Sequence, residues 1–207
     1  MKRTLPICFF LLAHFGLYSQ TLVYDAWKGS NKIGGMVVSQ KPSPGGMTYS
    51  SEANMTVRFL ISIDLKFTYE AVFVDGNLQS SETKNFRGGD LKDQSIGLRE
   101  GEMYTTRLNG RNKKLHHPRI EETILTIYYH EPVNLRKVYS ERWGDYLKIK
   151  PLGNHRYELY LANGDINVYT FKDGICTEIE INHSLGSVYF RLQEVKDASG
   201  RILQSFR

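Results

Sequence analysis

The sequence predicts a mainly β fold: one domain formed by a curved antiparallel sheet, or an open barrel or sandwich. About ten to twelve strands are expected, with one short helix near 120–130 packed on the sheet. Two observations carry the β assignment and one carries the helix. In the last third, turn formers at Gly144-Asp145, Gly153-Asn154, Asn163-Gly164-Asp165 and Asp173-Gly174 separate β-rich runs at a spacing of about ten residues, the signature of a meander. Thirteen tyrosines, within an aromatic content of 12%, suit half-buried strands whose side chains have one apolar and one wet end. Only Ile120, Ile124, Ile127 and Tyr128 recur at helical spacing, with Glu121-Glu122 in the first turn and Pro132 as the stop. The β propensity of Thr123, Ile124, Thr126 and Tyr129 keeps a strand open as the alternative there.

Residues 1–19 read as a secretory signal peptide. Lys2 and Arg3 precede an apolar run from Leu5 to Leu17, and Leu17-Tyr18-Ser19 offers a small-residue cleavage site. The run is too short and interrupted for a comfortable membrane span, so no stable span is expected after cleavage. Cys8 comes too early in it to be a lipidation site. Cleavage implies a periplasmic or extracellular location. It also removes two of the 27 basic residues, lowering the formal net charge from +5 to +3. That is ordinary solubility charge without a long basic run, and nucleic acid is not an expected partner. Cys176 is then the only cysteine, so no intramolecular disulfide can form, and a buried small side chain is the expected role.

From residue 20 to 199 the chain reads as one antiparallel β domain. Thr21–Trp27 and Lys32–Gln40 form an opening hairpin, with Gly34-Gly35 marking a bulge or a close backbone approach. The glycine pair lacks the spacing and the following helix of a phosphate loop. After the loop at Pro42–Gly46, Met47–Ile63 and Lys66–Asp75 alternate, with Phe67, Tyr69, Ala71 and Phe73 on one face. Asp75-Gly76-Asn77 is a hairpin turn. The return strand Leu78–Phe86 is so polar that a solvent face or a sheet edge is expected for it. The chain from Gly88 to Gly101 is weakly patterned, Met103–Leu108 is a strand, and Arg111–Pro118 reads as a basic loop. In the meander, Tyr157, Leu159 and Leu161 share a face, as do Ile175, Thr177, Ile179 and Ile181, opposite Cys176, Glu178 and Glu180. Residues 200–207 read as a polar tail that frays beyond Ser199.

Several of these segments together resemble a known family. TLVYDAW…KIGGM, IYYHEP, VYSERWGDYLKI, YELYLANGDINVYTFKDG and the closing SVYF look like the DUF6134 type, exported proteins of unknown function common in Bacteroidetes. That group in turn resembles, distantly, the DUF3108 periplasmic proteins. The resemblance implies a curved antiparallel β structure and a cell-envelope location, and carries no catalytic residues. Glu131, Pro132, Ser140, Glu141, Gly144 and Gly164 occupy the family-like positions. Each has a structural role at hand: Pro132 as helix stop, Gly144 and Gly164 in turns, Glu131 or Glu141 capping or pairing with Arg136 or Arg142.

No reaction centre emerges from the residues. His130-Glu131 begins a zinc-enzyme motif, but position 134 is Asn, and no cysteine or histidine cluster follows; neither a metal nor a cofactor is expected. Ser140 lies in YSERWG rather than in a nucleophile elbow. Glu178 and Glu180 read as a solvated strand face, and a hydrolase with an unrecognised site is the remote alternative. The favoured expectation is a non-catalytic envelope protein binding a lipid or other amphipathic ligand on the concave face of the sheet. Tyr128, Tyr129, Tyr160, Tyr169 and Phe171 are the candidate lining. A protein-interaction or structural module of an envelope assembly system is the second reading.

Overall fold

The computed structural model describes residues 19–58, 62–182 and 186–206. The expected signal segment lies outside these, apart from Ser19. Among the described residues fifteen strands form one antiparallel sheet. They are β1 (Gln20–Lys28), β2 (Asn31–Ser43), β3 (Gly46–Arg58), β4 (Ser62–Val74), β5 (Asn77–Arg87), β6 (Asp90–Glu100), β7 (Met103–Leu108) and β8 (Arg111–His116). After an irregular stretch come β9 (Lys137–Ser140), β10 (Asp145–Gly153), β11 (Arg156–Tyr160), β12 (Ile166–Lys172), β13 (Ile175–Ile181), β14 (Val188–Asp197) and β15 (Ile202–Ser205). The order is β8-β7-β6-β5-β4-β3-β2-β1-β14-β13-β12-β11-β10-β9, with β15 pairing β14 off this path.

Local chemistry explains the hairpins. Asp75-Gly76 and Asn109-Gly110 both hold two successive left-handed residues, with φ of 50° and 68° and of 46° and 82°. Two-residue turns of that kind match the right-handed twist of the strands they join. At Gly34 the backbones come so close that a Cβ would lie 2.0 Å from the Asn54 carbonyl oxygen, the close approach expected of that glycine. Along β3, burial alternates strictly through Met47, Tyr49, Ser51, Ala53, Met55 and Val57. That pattern puts one face inward and the other to solvent.

The sheet curls until its ends meet without pairing as strands. Across the seam, Thr106 on β7 and Tyr139 on β9 share a hydroxyl hydrogen bond of 2.7 Å. Ser95 on β6 donates to the Glu141 carbonyl at 2.8 Å, and Lys113 on β8 reaches Asp145 on β10 at 2.5 Å. A Cβ on Gly144 would meet Thr106 at 2.7 Å, so glycine lets the turn after β9 sit against β7.

Five expectations need correction. First, residues 120–130 form no helix of two to three turns. They hold an isolated parallel bridge between Thr123 and Tyr139, then a single 3-10 turn at Thr126–Tyr128. The apolar residues recur there because the segment threads the interior and is buried nearly all round, which helical periodicity mimics. Pro132 therefore stops no helix; it is buried and its carbonyl accepts from Leu135 N–H at 3.3 Å. Second, β5 is neither an edge nor a solvent face: it lies between β4 and β6, and Ser81, Thr83 and Asn85 are buried. Third, Arg111–His116 is a strand, not a loop, and Asp90–Glu100 is another. Fourth, a bulge between Thr170 and Phe171 shifts the β12/β13 register, so Cys176, buried as expected, shares the inward face with Ile179 rather than the face of Glu178 and Glu180. Fifth, the chain past Ser199 returns as β15, because Asp197 caps the turn with bonds to the Ser199 and Arg201 N–H groups and an ion pair to Arg201.

Candidate functional site

The interior is organised by the segment from Pro118 to His130, which acts as a plug. It enters beside the start of β5. Asn77 Oδ1 accepts from the Ile120 N–H at 3.0 Å and from Arg99 Nη2 at 2.9 Å. Arg99 also donates to the Leu78 and Pro118 carbonyls, so one guanidinium ties two strand ends to the plug. Farther in, Ile124 N–H donates to the Tyr139 carbonyl and Tyr139 N–H to the Glu122 carbonyl, covering the outer edge of β9. Ile120, Leu125 and Ile127 are almost wholly buried.

Four of the five expected lining residues belong to the packed interior. The ring of Tyr128 meets Tyr24 and Tyr169 edge-on, at centroid distances of 6.0 and 6.3 Å. Tyr129 packs on Tyr49, and its hydroxyl donates to the Val38 carbonyl at 2.8 Å. Phe171 sits edge-on to Tyr157. Tyr160 stands apart on the opposite face, half-exposed, hydrogen-bonded to Glu158 and beneath the Lys148 ammonium. The five therefore do not share one pocket. Burial pushes the phenols up, Tyr49 to about 12 and Tyr128, Tyr129 and Tyr169 also above their ordinary value, so these hydroxyls stay neutral.

On the β5–β7 side the interior is polar. Ser81 Oγ and the Tyr104 hydroxyl are 2.9 Å apart, and Asn85 donates to Asp93, which also receives Arg142 at 3.1 Å. The Tyr69 hydroxyl is pushed up to about 12 by burial in spite of the Arg142 guanidinium beside it. Glu141 stands at the centre, fully buried, with Oε1 accepting from Leu125 N–H at 3.3 Å and Oε2 without a hydrogen-bond partner. Burial raises its carboxyl pKa, against opposing hydrogen bonds from Thr123 and nearby backbone N–H groups. Its expected pairing with Arg136 or Arg142 does not occur. Thr83 Oγ1 and Asn85 Oδ1 are likewise buried without partners. No local signal in the sequence marks this network, because its members come from six separate segments.

The remaining family-like positions fill structural roles. Glu131 pairs with neither arginine: it accepts from the Tyr157 hydroxyl at 2.7 Å and lies 2.9 Å from His155 Nδ1, which fastens the plug's exit to β11. Ser140 is buried, and its Oγ accepts from Trp143 N–H. Gly144 and Gly164 hold left-handed turns, with φ of 60° and 90°. Glu178 pairs with Arg191 across to β14, and Glu180 accepts from the Tyr189 hydroxyl. Cys176 is buried with its thiol pushed up by desolvation.

Among the described residues, clefts open at the rims of the sheet, two of which stand out. The larger, of about 510 Å3, is lined by Ile33, Met55, Leu65 and Phe86 together with Asn54, Asp64 and Lys66. Neighbouring residues of both strand parities take part, so the cleft runs over the rim. The smaller, of about 200 Å3, lies at the β6/β7 end beside Leu91, Lys92 and Arg107. No long-range pattern in the sequence signalled either: each is assembled from hairpin ends that only the register brings together.

Comparison with known proteins agrees with this architecture. A family profile described as a domain of unknown function, DUF6134, matches residues 24–193. Among solved structures, the chain is similar to a β-barrel-like protein of the domain of unknown function DUF1849 from Brucella abortus. The TM-score is 0.55 at 12% identity, over 87% of this chain and 98% of that one. At that identity the likeness concerns the fold alone. No curated protein matches the sequence.

Proposed function

We propose that this chain, which belongs to the DUF6134 family, is a non-catalytic protein of the cell envelope that binds an amphipathic molecule in the larger rim cleft. The observation that carries the reading is the composition of that cleft. Ile33, Met55, Leu65 and Phe86 offer an apolar floor, while Asn54, Asp64 and Lys66 supply polar and charged groups at its border. Apolar walls with a few placed polar groups are what a ligand with a hydrocarbon part and a polar head requires. The export signal read at residues 1–19 supports the envelope location. The burial of the Ser140 hydroxyl and the Cys176 thiol supports a role without covalent chemistry.

The test is titration of the mature protein with cis-parinaric acid, a fluorescent fatty acid, alongside native mass spectrometry of protein purified from its own envelope. Saturable binding is expected. Leu65→Glu should weaken it by about tenfold or more, since a leucine-sized apolar contact is replaced by a charge. Thermal melting of the variant confirms that it folds. Absence of binding, or equal binding by the folded variant, refutes the assignment.

A further inference from the structure

We propose that the free edge of β8 is a docking site for an extended acidic segment of a partner protein, which adds to the sheet as one more strand. The proposal goes beyond the rim cleft and is independent of it.

The backbone pattern comes first. The two-residue turn at Asn109-Gly110 makes Leu108 and Arg111 the first bonded pair of the β7/β8 ladder. Bonded and non-bonded pairs then alternate, so Thr106/Lys113 and Tyr104/Leu115 are bonded as well. The His117 N–H donating to the Glu102 carbonyl at 2.7 Å continues the same series. The N–H and C=O groups of Asn112, Lys114 and His116 therefore point away from β7. Among the described residues none of them meets another backbone group, and β8 ends the strand order.

This edge differs from the others. The outer edge of β9 is occupied by the plug at Glu122 and Ile124, and β15 is only four residues long. β8 is also held in place: Leu115 packs on the core and Lys113 is fixed across the seam to Asp145. A preformed template of this kind takes an incoming strand by main-chain hydrogen bonds.

Charge selects the occupant. Arg107, Arg111 and Lys114 make no ion pair among the described residues. The nearby carboxylates of Glu102, Glu121 and Asp145 are matched to His117, Arg119 and Lys113. A second copy of β8 would set Arg111, Lys113 and Lys114 against the same cations, which is unfavourable across strands. The same charges that repel a copy attract an acidic strand and set its register.

The test uses the mature protein and a fluorescein-labelled peptide of alternating Glu and Val. Anisotropy should report binding that salt weakens, and amide exchange at Asn112, Lys114 and His116 should slow when the peptide is present. A peptide of alternating Lys and Val should not bind. Methylating the Glu/Val peptide on the amides of one edge should weaken binding by about fivefold or more for each bond lost. Lys114→Pro removes an outward N–H while sparing every β7 bond and should weaken binding too. No binding by the Glu/Val peptide overturns the proposal. Equal binding by the methylated peptide also overturns it, because charge alone would then suffice, as does protection that appears away from β8.

Discussion

The seam between β7 and β9 is the contact that makes a curled sheet out of a long meander, and its central pair can be measured. Thr106 is 1% exposed and Tyr139 is fully buried, with 2.7 Å between their hydroxyl oxygens. Tyr139→Phe keeps the ring between Tyr104 and Tyr146, at centroid distances of 5.7 and 5.6 Å, and deletes only the hydroxyl. Thr106→Val deletes the other partner at nearly constant volume. Either single change strands one buried hydroxyl, at a cost of about 1–3 kcal/mol. The double variant leaves no stranded group, so it should be destabilised by less than the sum of the two, with a coupling of about 1–2 kcal/mol. Urea unfolding at neutral pH, with equal slopes across the four proteins, supplies the values. Melting temperatures should move by about 2–4 °C for each kcal/mol in a chain of this size. Singles that cost under about 0.5 kcal/mol and add without coupling would mean that this bond does not hold the seam.

Two further predictions concern the plug and its buried acid. Folding raises the Glu141 pKa by burial, so the folded state keeps a proton that the unfolded chain releases. Stability should then decline as pH rises from the ordinary carboxyl value to the raised folded one, and level off above it. Glu141→Gln preserves the Oε1 acceptor for Leu125 and should remove that decline. Denaturant titrations between pH 4 and 8 give the difference curve, and parallel profiles for the two proteins would contradict the linkage. Leu125→Ala should cost about 2–5 kcal/mol through the cavity it opens. Val133→Ala, at a site 62% exposed, should stay within about 0.5 kcal/mol. Comparable effects at the two sites would contradict the plug assignment.

The fold is legible in the sequence where local chemistry decides. Asp75-Gly76, Asn109-Gly110 and Asp173-Gly174 adopt the left-handed pairs their residues favour, and the meander from β9 to β14 follows from the spacing of such turns. The fold is not legible where tertiary partners decide. The polar run in β5 reads as a solvent face because alternation reports polarity, not burial. Ser81 becomes an interior residue only because Tyr104, from another strand, brings it a hydroxyl. β8 reads as a loop because an edge strand in water needs no apolar face, and its six residues contain a single leucine.

The same physics separates the two halves of the expected site. Parity already places Tyr160 opposite Tyr157 and Leu159, and the structure keeps it there, under Lys148. Tyr128 and Tyr129 lie in the packed interior, where the plug that carries them fills the concave side. Each apolar ring gains more from burial against its neighbours than from lining an empty space. The larger cleft consequently lies at the rim, where strand pairing ends and Leu65 and Phe86 are only half-buried. Among the described residues, the outer edge of β8 is a strand edge that the plug does not reach.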